Sequence, residues 1–357
     1  MASVGIITNP QSGKDIRRLV ALASSFSNHE KVLILRRVLA GLEAAGVEEA
    51  WVFNDGDALG AAAVEGFGER RGRAALRARL LSLPLQGDGE DTTRAAALMR
   101  EKGAACIVVL GGDGTSRAAA RGCGSVPLVP LSTGTNNAFP QNWEGTVAGL
   151  GAGLFARRPR AFAAQVRRSK RLRIRLGSSV ETALIDLAVV RGAYAGARAV
   201  WDVRRIESLF LTRCQPGGLG LSAIGASLDP IGPDDPEGLW VMFGPAGSRS
   251  GKEVLSPIAP GLVVPAPVLR SRRVGMGEGV VYTAPGERVL AFDGEREHVM
   301  SAGERFEATL DRAGPRVVDV PAVLARAAAG GALTRTLGNR KAPGRGLGRQ
   351  TPLDKRR

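Results

Sequence analysis

Aromatic residues make up only 4% of the 357-residue chain. That is too few for the ring platforms on which single strands of nucleic acid stack, and no specific nucleic-acid partner is expected. There are three cysteines, Cys106, Cys123 and Cys214, none in a C-x-x-C pair. This excludes a disulfide framework and a structural zinc site and suits reduced thiols in a cytoplasmic protein. No apolar run reaches the roughly 18 residues that cross a bilayer, so no stable membrane insertion is expected. Met1-Ala2-Ser3 passes directly into the apolar Val4-Gly5-Ile6-Ile7, which reads as a first strand and not as a secretion signal.

What is present is ordinary globular material with an excess of positive charge. Hydrophobic residues are 44%, charged residues 23%, and the formal net charge is +15. Part of that excess lies in Arg335–Arg357, which holds eight basic residues and one acid, Asp354, and reads as a flexible tail. A second run, Arg157–Arg175, holds nine Lys and Arg and no acid. It is either solvated surface or a means of drawing in a polyanionic substrate such as a nucleotide.

Residues 1–156 alternate strand and helix signals. Strands are expected at Val4–Thr8, Ala50–Phe53, Leu80–Leu85, Cys106–Leu110 and Val126–Pro130. Helices are expected at Asp15–Ser25, His29–Ala45, Gly56–Ala63, Asp91–Lys102, Ser116–Arg121 and Glu144–Phe155. The alternation predicts an α/β domain with a mainly parallel sheet, whose binding crevice lies at the carboxyl ends of the strands. From about residue 160 short β-branched runs broken by Gly and Pro take over, at Ala183–Val190, Gly238–Phe243, Gly279–Thr283, Val289–Phe292 and Phe306–Leu310, with a short final helix at Pro321–Ala329. The expected organisation is an α/β nucleotide-binding domain over 1–156, a β-rich substrate domain over 157–330 and a basic tail over 331–357.

The strongest chemical signal is Gly111-Gly112-Asp113-Gly114-Thr115, between a predicted strand and a predicted helix. Glycines let a ligand approach the main chain, and N–H groups at a helix start favour phosphate. An acid in such a loop repels phosphate. Asp113 makes chemical sense if it takes a proton from a hydroxyl or meets magnesium; the plain alternative is a tight turn with a capping Asp. Two further loops follow predicted strands, Asn9-Pro10-Gln11-Ser12-Gly13-Lys14 and Leu131-Ser132-Thr133-Gly134-Thr135-Asn136-Asn137. The first is not a Walker A loop: seven residues, not four, separate Gly5 from Gly13, and Asp15 replaces the Ser or Thr. No glycine run completes G-x-G-x-x-G. Asp293-Gly294-Glu295 follows another predicted strand and reads as a two-residue hairpin turn.

Together these loops resemble the superfamily of NAD kinases and diacylglycerol or sphingosine lipid kinases. Gly5–Asp15, Ser27–Lys31 and Thr133–Pro140 look closer still to the ATP-NAD kinase-like proteins of the acetoin-catabolism X (AcoX) type. The resemblance implies a two-domain kinase using ATP and Mg2+, with polyphosphate as another conceivable donor and a homo-oligomer formed through the β-rich domain. It implies that Asp113 deprotonates the acceptor hydroxyl, which in NAD kinases is the ribose 2′-OH. It also implies that Asn9, Ser12, Gly111, Gly112, Gly114, Thr115, Thr133, Gly134, Thr135, Asn136 and Asn137 line the nucleotide, and that Asp186, Asp293 and Glu295 face the acceptor. Ile185 stands where NAD kinases carry an amide, and Ser116-Arg117 where lipid kinases carry Asn-Glu. NAD or a related nucleotide-like acceptor is therefore expected, with a lipid acceptor, or nucleotide binding without turnover, as alternatives.

Overall fold

In a computed structural model, residues 2–13, 22, 27–71, 76–134, 137–192, 200, 202–245 and 250–334 are described. The predicted helix Asp15–Ser25, apart from Leu22, lies outside them, as do Lys14, Thr135, Asn136 and the basic tail from 335.

The first half runs β1 (Ser3–Thr8), α1 (Asn28–Ala44), β2 (Glu49–Phe53), α2 (Leu59–Arg71), β3 (Arg77–Leu81), α3 (Gly89–Glu101), β4 (Cys106–Gly111), α4 (Asp113–Cys123), β5 (Leu128–Ser132) and α5 (Gly145–Arg157). Neighbouring strands are parallel in the order β3-β2-β1-β4-β5. β1 shows why both faces must be covered: Val4 and Ile6 pack toward α1, α2 and α5, whereas Ile7 packs with α3 and α4. β3 sits earlier than the predicted Leu80–Leu85. It is an edge strand paired only with β2, and β2 ends where Phe53 faces Leu81. The glycine motif also differs from expectation: only Gly111 and Gly112 precede the helix, and Asp113 opens its first turn.

α1 and α5 touch at the backbone. Gly145, Gly149 and Gly153 form a stripe on α5, and a Cβ at Gly149 would lie 2.2 Å from the Val38 carbonyl oxygen. Gly149→Ala is therefore expected to cost about 1–3 kcal/mol by forcing the helices apart, read as a fall in the urea midpoint.

The chain continues through β6 (Val166–Arg168), β7 (Arg171–Leu176), β8 (Ser179–Ala183), β9 (Asp186–Arg191), β10 (Ile206–Leu211), α6 (Leu221–Leu228), β11 (Glu237–Phe243), β12 (Lys252–Ala259), β13 (Leu262–Gly275), β14 (Gly279–Thr283), β15 (Arg288–Phe292), β16 (Glu295–Met300), β17 (Arg305–Asp311), β18 (Arg316–Val318) and α7 (Val320–Ala329). A seven-stranded antiparallel sheet, β12-β13-β11-β10-β9-β15-β16, faces a four-stranded one, β14-β17-β7-β8. Leu172, Ile174, Leu187, Phe210, Leu290, Phe292 and Phe306 fill the space between them. The other face of the larger sheet packs on α6. β18 and β6 extend the first sheet beyond β5, and α7 packs in the first core, so the chain returns to the α/β layer after the β-rich sheets. The predicted strand Ala183–Val190 is broken at Leu184-Ile185, where β8 ends and β9 begins.

The basic run is largely engaged. Arg157 donates to the Ala45 carbonyl (3.1 Å), and Arg167, Arg171 and Arg175 pair with Asp319, Asp311 and Glu307. Lys170 turns inward and is buried. All three cysteines are buried and free. Among the described residues no helix is long and apolar enough to cross a membrane.

Candidate functional site

The strand order changes direction between β1 and β4, the point in an open parallel sheet where a binding crevice is expected at the carboxyl ends. Both chemical loops open from that point. The Asn9 N–H donates to the Leu110 carbonyl (3.0 Å), and its Nδ2 donates to Thr115 Oγ1 (2.8 Å). Ser12 Oγ and Thr133 Oγ1 share a buried hydrogen bond of 2.7 Å, and the Thr133 N–H reaches the Gly111 carbonyl (3.3 Å). Asn137 Nδ2 donates to Ser132 Oγ (2.8 Å), whose hydroxyl donates to the Gly134 carbonyl (3.1 Å). These bonds tie the ends of β1, β4 and β5 into one surface.

Two of the motif glycines are needed for space. A Cβ on Gly112 would lie 2.9 Å from Asn137 Oδ1, and one on Gly111 would lie 2.5 Å from the Thr115 side chain. Gly114 meets Glu295, whose Oε1 would be 3.4 Å from a Cβ there. The turn 293–295 thus comes against the glycine motif from the β-rich half.

Asp113 is 8% exposed. Its Oδ1 accepts from the Phe139 N–H (2.7 Å) and the Ala138 N–H (3.1 Å), and Oδ2 accepts from the same Ala138 N–H (3.1 Å). Burial, with the negative Asp293 nearby, pushes its carboxyl up to about 6, against the pull of those N–H groups and Arg213.

Asp293 and Gly294 both have positive φ, 50° and 79°, and join β15 to β16 in the predicted hairpin. The same Asp293 is fully embedded. It accepts from the N–H groups of Leu184 (2.9 Å), Ile185 (2.7 Å) and Asp186 (3.3 Å) and pairs with Arg117 Nε (3.3 Å). Burial pushes its carboxyl up, and Arg117 and the N–H groups pull it down. Asp186 Oδ1 accepts from the Gly294 N–H (3.1 Å), so Asp186 braces this turn. Ile185 contributes its main chain while its side chain packs with Leu184 and Phe139. The β8–β9 corner is therefore a backbone cradle, which the side-chain comparison at Ile185 did not show.

Three basic residues join the cluster without having been singled out for chemistry in the sequence. Arg117, one turn along α4 from Asp113, pairs with Asp293 and Glu297. Arg213 donates to the Ala138 carbonyl (2.7 Å) and lies 5.1 Å from the Phe139 ring centroid. Lys31 of α1 is wholly buried and donates to the carbonyls of Asn9 (3.3 Å), Pro10 (2.7 Å) and Ser12 (2.8 Å). A lysine on an otherwise apolar helix face was the available signal. Lys31→Met keeps the bulk and removes these donors. It is expected to lower stability by about 2–3 kcal/mol, measured by calorimetry.

Residues 4–148 match the family model of the ATP-NAD kinase N-terminal domain, and residues 170–313 match that of the acetoin catabolism protein X C-terminal domain. Acetoin catabolism protein X of Cupriavidus necator is 36% identical over 332 residues, spanning 91% of this chain and 92% of that one. The chain belongs to the acetoin catabolism protein X family. Among solved structures, a yeast NADH kinase complexed with NADH aligns with a TM-score of 0.48 at 12% identity, covering 94% of this chain and 90% of that one. An NAD kinase from Archaeoglobus fulgidus in complex with ATP aligns with a TM-score of 0.33 at 14% identity, covering 78% and 96%. In this chain the glycine motif thus lies in the stretch that matches the ATP-NAD kinase N-terminal domain, and the Asp-Gly-Glu turn in the stretch that matches the acetoin catabolism protein X C-terminal domain.

Proposed function

We propose that this protein is a kinase that moves the terminal phosphoryl group of ATP to a hydroxyl of NAD or a related nucleotide-like molecule. The observation that carries the reading is the position of Asp113. It stands at the reversal of strand order, in the first turn of α4, among the loops after β1 and β5 and opposite the Asp293 turn.

In this reading the start of α4 and the loops around Asn9, Ser12 and Thr133 receive the triphosphate, because oriented N–H groups and short polar side chains suit phosphate oxygens. Asp113 receives the acceptor proton. Two of its N–H contacts fall on Oδ1, which fixes the carboxylate and leaves acceptor capacity on Oδ2. Magnesium supplies neutralisation of phosphate charge when bound. It needs only one or two carboxylates beside phosphates and water, and Glu295, set against Gly114, is a carboxylate that could serve there. Among the described residues no group of three or more His, Cys, Asp or Glu converges that could hold a metal ion by itself.

One observation favours a second reading, nucleotide binding without turnover: both Asp113 oxygens already accept main-chain N–H groups. One experiment separates the two. Purified protein is incubated with Mg-ATP and NAD, then with a metabolite pool, and products are read by mass spectrometry beside an Asp113→Asn control. A gain of one phosphate that needs Asp113 supports the kinase. Tight ATP binding with no transfer to any compound in the pool supports the second reading. A lipid product would move the acceptor class and leave Asp113 in its role.

A further inference from the structure

Glu295 follows the Asp293-Gly294 turn and opens β16. Its carboxylate lies against the start of α4: Oε1, Cδ and Oε2 stand 3.4, 3.5 and 3.7 Å from where a Cβ on Gly114 would be. We propose that Glu295 makes nucleotide binding conditional on a divalent cation, so that the site takes the metal complex of ATP and refuses the bare anion. The inference rests on the reading of the α4 start as the triphosphate site and concerns the control of that same site.

Where that carboxylate stands carries the argument. Gly114 is the second residue of α4, and Gly112, which precedes the helix, has no side chain to cap it. The first N–H groups of a helix have no partner within it and favour an anion. Glu295 already places a negative group at that end. The neighbouring acids are turned to other partners. Asp113 accepts from the N–H groups of Ala138 and Phe139, Asp293 from those of Leu184, Ile185 and Asp186, and Asp186 from that of Gly294. Glu297 pairs with Arg117. Glu295 is the carboxylate that faces Gly114, and it is half-buried, so water screens it incompletely.

Its position is fixed from both sides along the chain. Arg117 Nε pairs with Asp293 (3.3 Å), two residues before Glu295, and Nη2 donates to Glu297, two residues after it. The guanidinium also lies 5.6 Å from the Phe292 ring centroid. Arg117 belongs to α4 itself, so it clamps the turn to the helix start. A bare triphosphate brought there meets a held negative charge. A divalent cation between the two groups binds phosphate oxygens together with one or two carboxylates and turns the repulsion into attraction. The net charge of the chain makes this diagnostic. At +15 the protein as a whole attracts bare ATP more strongly than its less negative metal complex, so a preference for the complex has to come from the site.

The test measures binding and not turnover, on the full-length protein. ATP is titrated by calorimetry at about 0.15 M salt, where attraction to surface charge is screened, with Mg2+ in one arm and EDTA in the other. Wild type is expected to bind Mg-ATP at least about tenfold more tightly than bare ATP. Glu295→Gln removes the charge and keeps the size. It should bind bare ATP at least about tenfold more tightly than wild type does, and Mg-ATP no more tightly. A variant that merely damaged the site would weaken both arms, so a gain in the metal-free arm identifies the charge as the cause. If near-UV circular dichroism shows that Glu295→Gln does not fold, Glu295→Asp draws the carboxylate back by one methylene and should show a smaller gain in the same arm. Equal wild-type affinity in the two arms, or bare-ATP binding that the folded variant leaves unchanged, overturns the proposal. The kinase reading fails differently. A protein that binds ATP only with the cation and transfers nothing loses that reading and keeps this one. A protein that transfers phosphate yet binds bare ATP as tightly loses this one alone, and binding in neither arm removes both.

Discussion

On the proposed kinase reading, Asp113→Asn is expected to lower phosphoryl transfer by about 10²–10⁴-fold while leaving the fold intact, the range a positioned general base contributes. The retained fold follows from geometry. Oδ1 accepts from both Phe139 and Ala138, and an Asn oxygen at that position keeps both contacts, so the variant gives up only the shared contact of the Ala138 N–H with Oδ2. What the amide cannot do is take a proton. The wild-type carboxyl is held near 6, so turnover should fall as pH drops below about 6 and the base is protonated.

The same shift has a stability consequence of definite sign. Folded Asp113 titrates near 6, against 3.8 for an unperturbed aspartate. The folded state therefore binds more protons in that window, and this residue's contribution to stability falls as pH rises from about 4 to about 6. The full effect above pH 6 is about 3 kcal/mol. The asparagine variant lacks this loss, so its melting temperature relative to wild type should be higher at pH 8 than at pH 4. An unchanged difference between the two proteins at those pH values would contradict the buried titration. Steady-state rates at pH 5 and pH 8, paired with thermal melts, check both statements on one set of samples.

Asp293→Ala should have the largest effect on stability, a loss of about 3–5 kcal/mol, because it breaks a buried ion pair from one side. Three main-chain N–H groups at the β8–β9 corner lose their acceptor, and Arg117 is left with Glu297 as its remaining carboxylate in the pair network. Asp293→Asn keeps one acceptor oxygen and should lose less. Combining Asp293→Ala with Arg117→Met should recover part of the loss, since the uncompensated cation is removed as well. Chemical denaturation of the three variants measures the coupling; strict additivity would mean that the pair contributes nothing specific. The positive φ at 293 makes the residue choice narrower still, since aspartate enters that region more easily than alanine.

The loops were legible because each has a local cause. Glycines at 111, 112 and 114 follow an apolar strand, and Asp293-Gly294 is a hairpin signal that the structure meets with two positive φ angles. Arg117 and Arg213 were not legible, because a single arginine in sequence looks the same whether it ends in solvent or beneath a carboxylate. The part that Ile185 plays was hidden for a related reason: its contribution is a main-chain N–H, which every residue but proline carries. The many strands of the β-rich half were only partly visible, since pairing of short, bulged antiparallel strands is set by partners far along the chain.

By itself the sequence determined the α/β start, the shift to β-rich texture and the positions of the glycine-rich loops after their strands, because hydrophobic period and glycine placement act over a few residues. Only the tertiary structure decided that the first sheet is completed by strands from beyond residue 160, that Asp113 and Asp293 are each held by main-chain N–H groups, and that Arg117 and Arg213 compensate them. Those outcomes depend on desolvation and on groups brought together from well beyond one turn or hairpin, and nothing local encodes them.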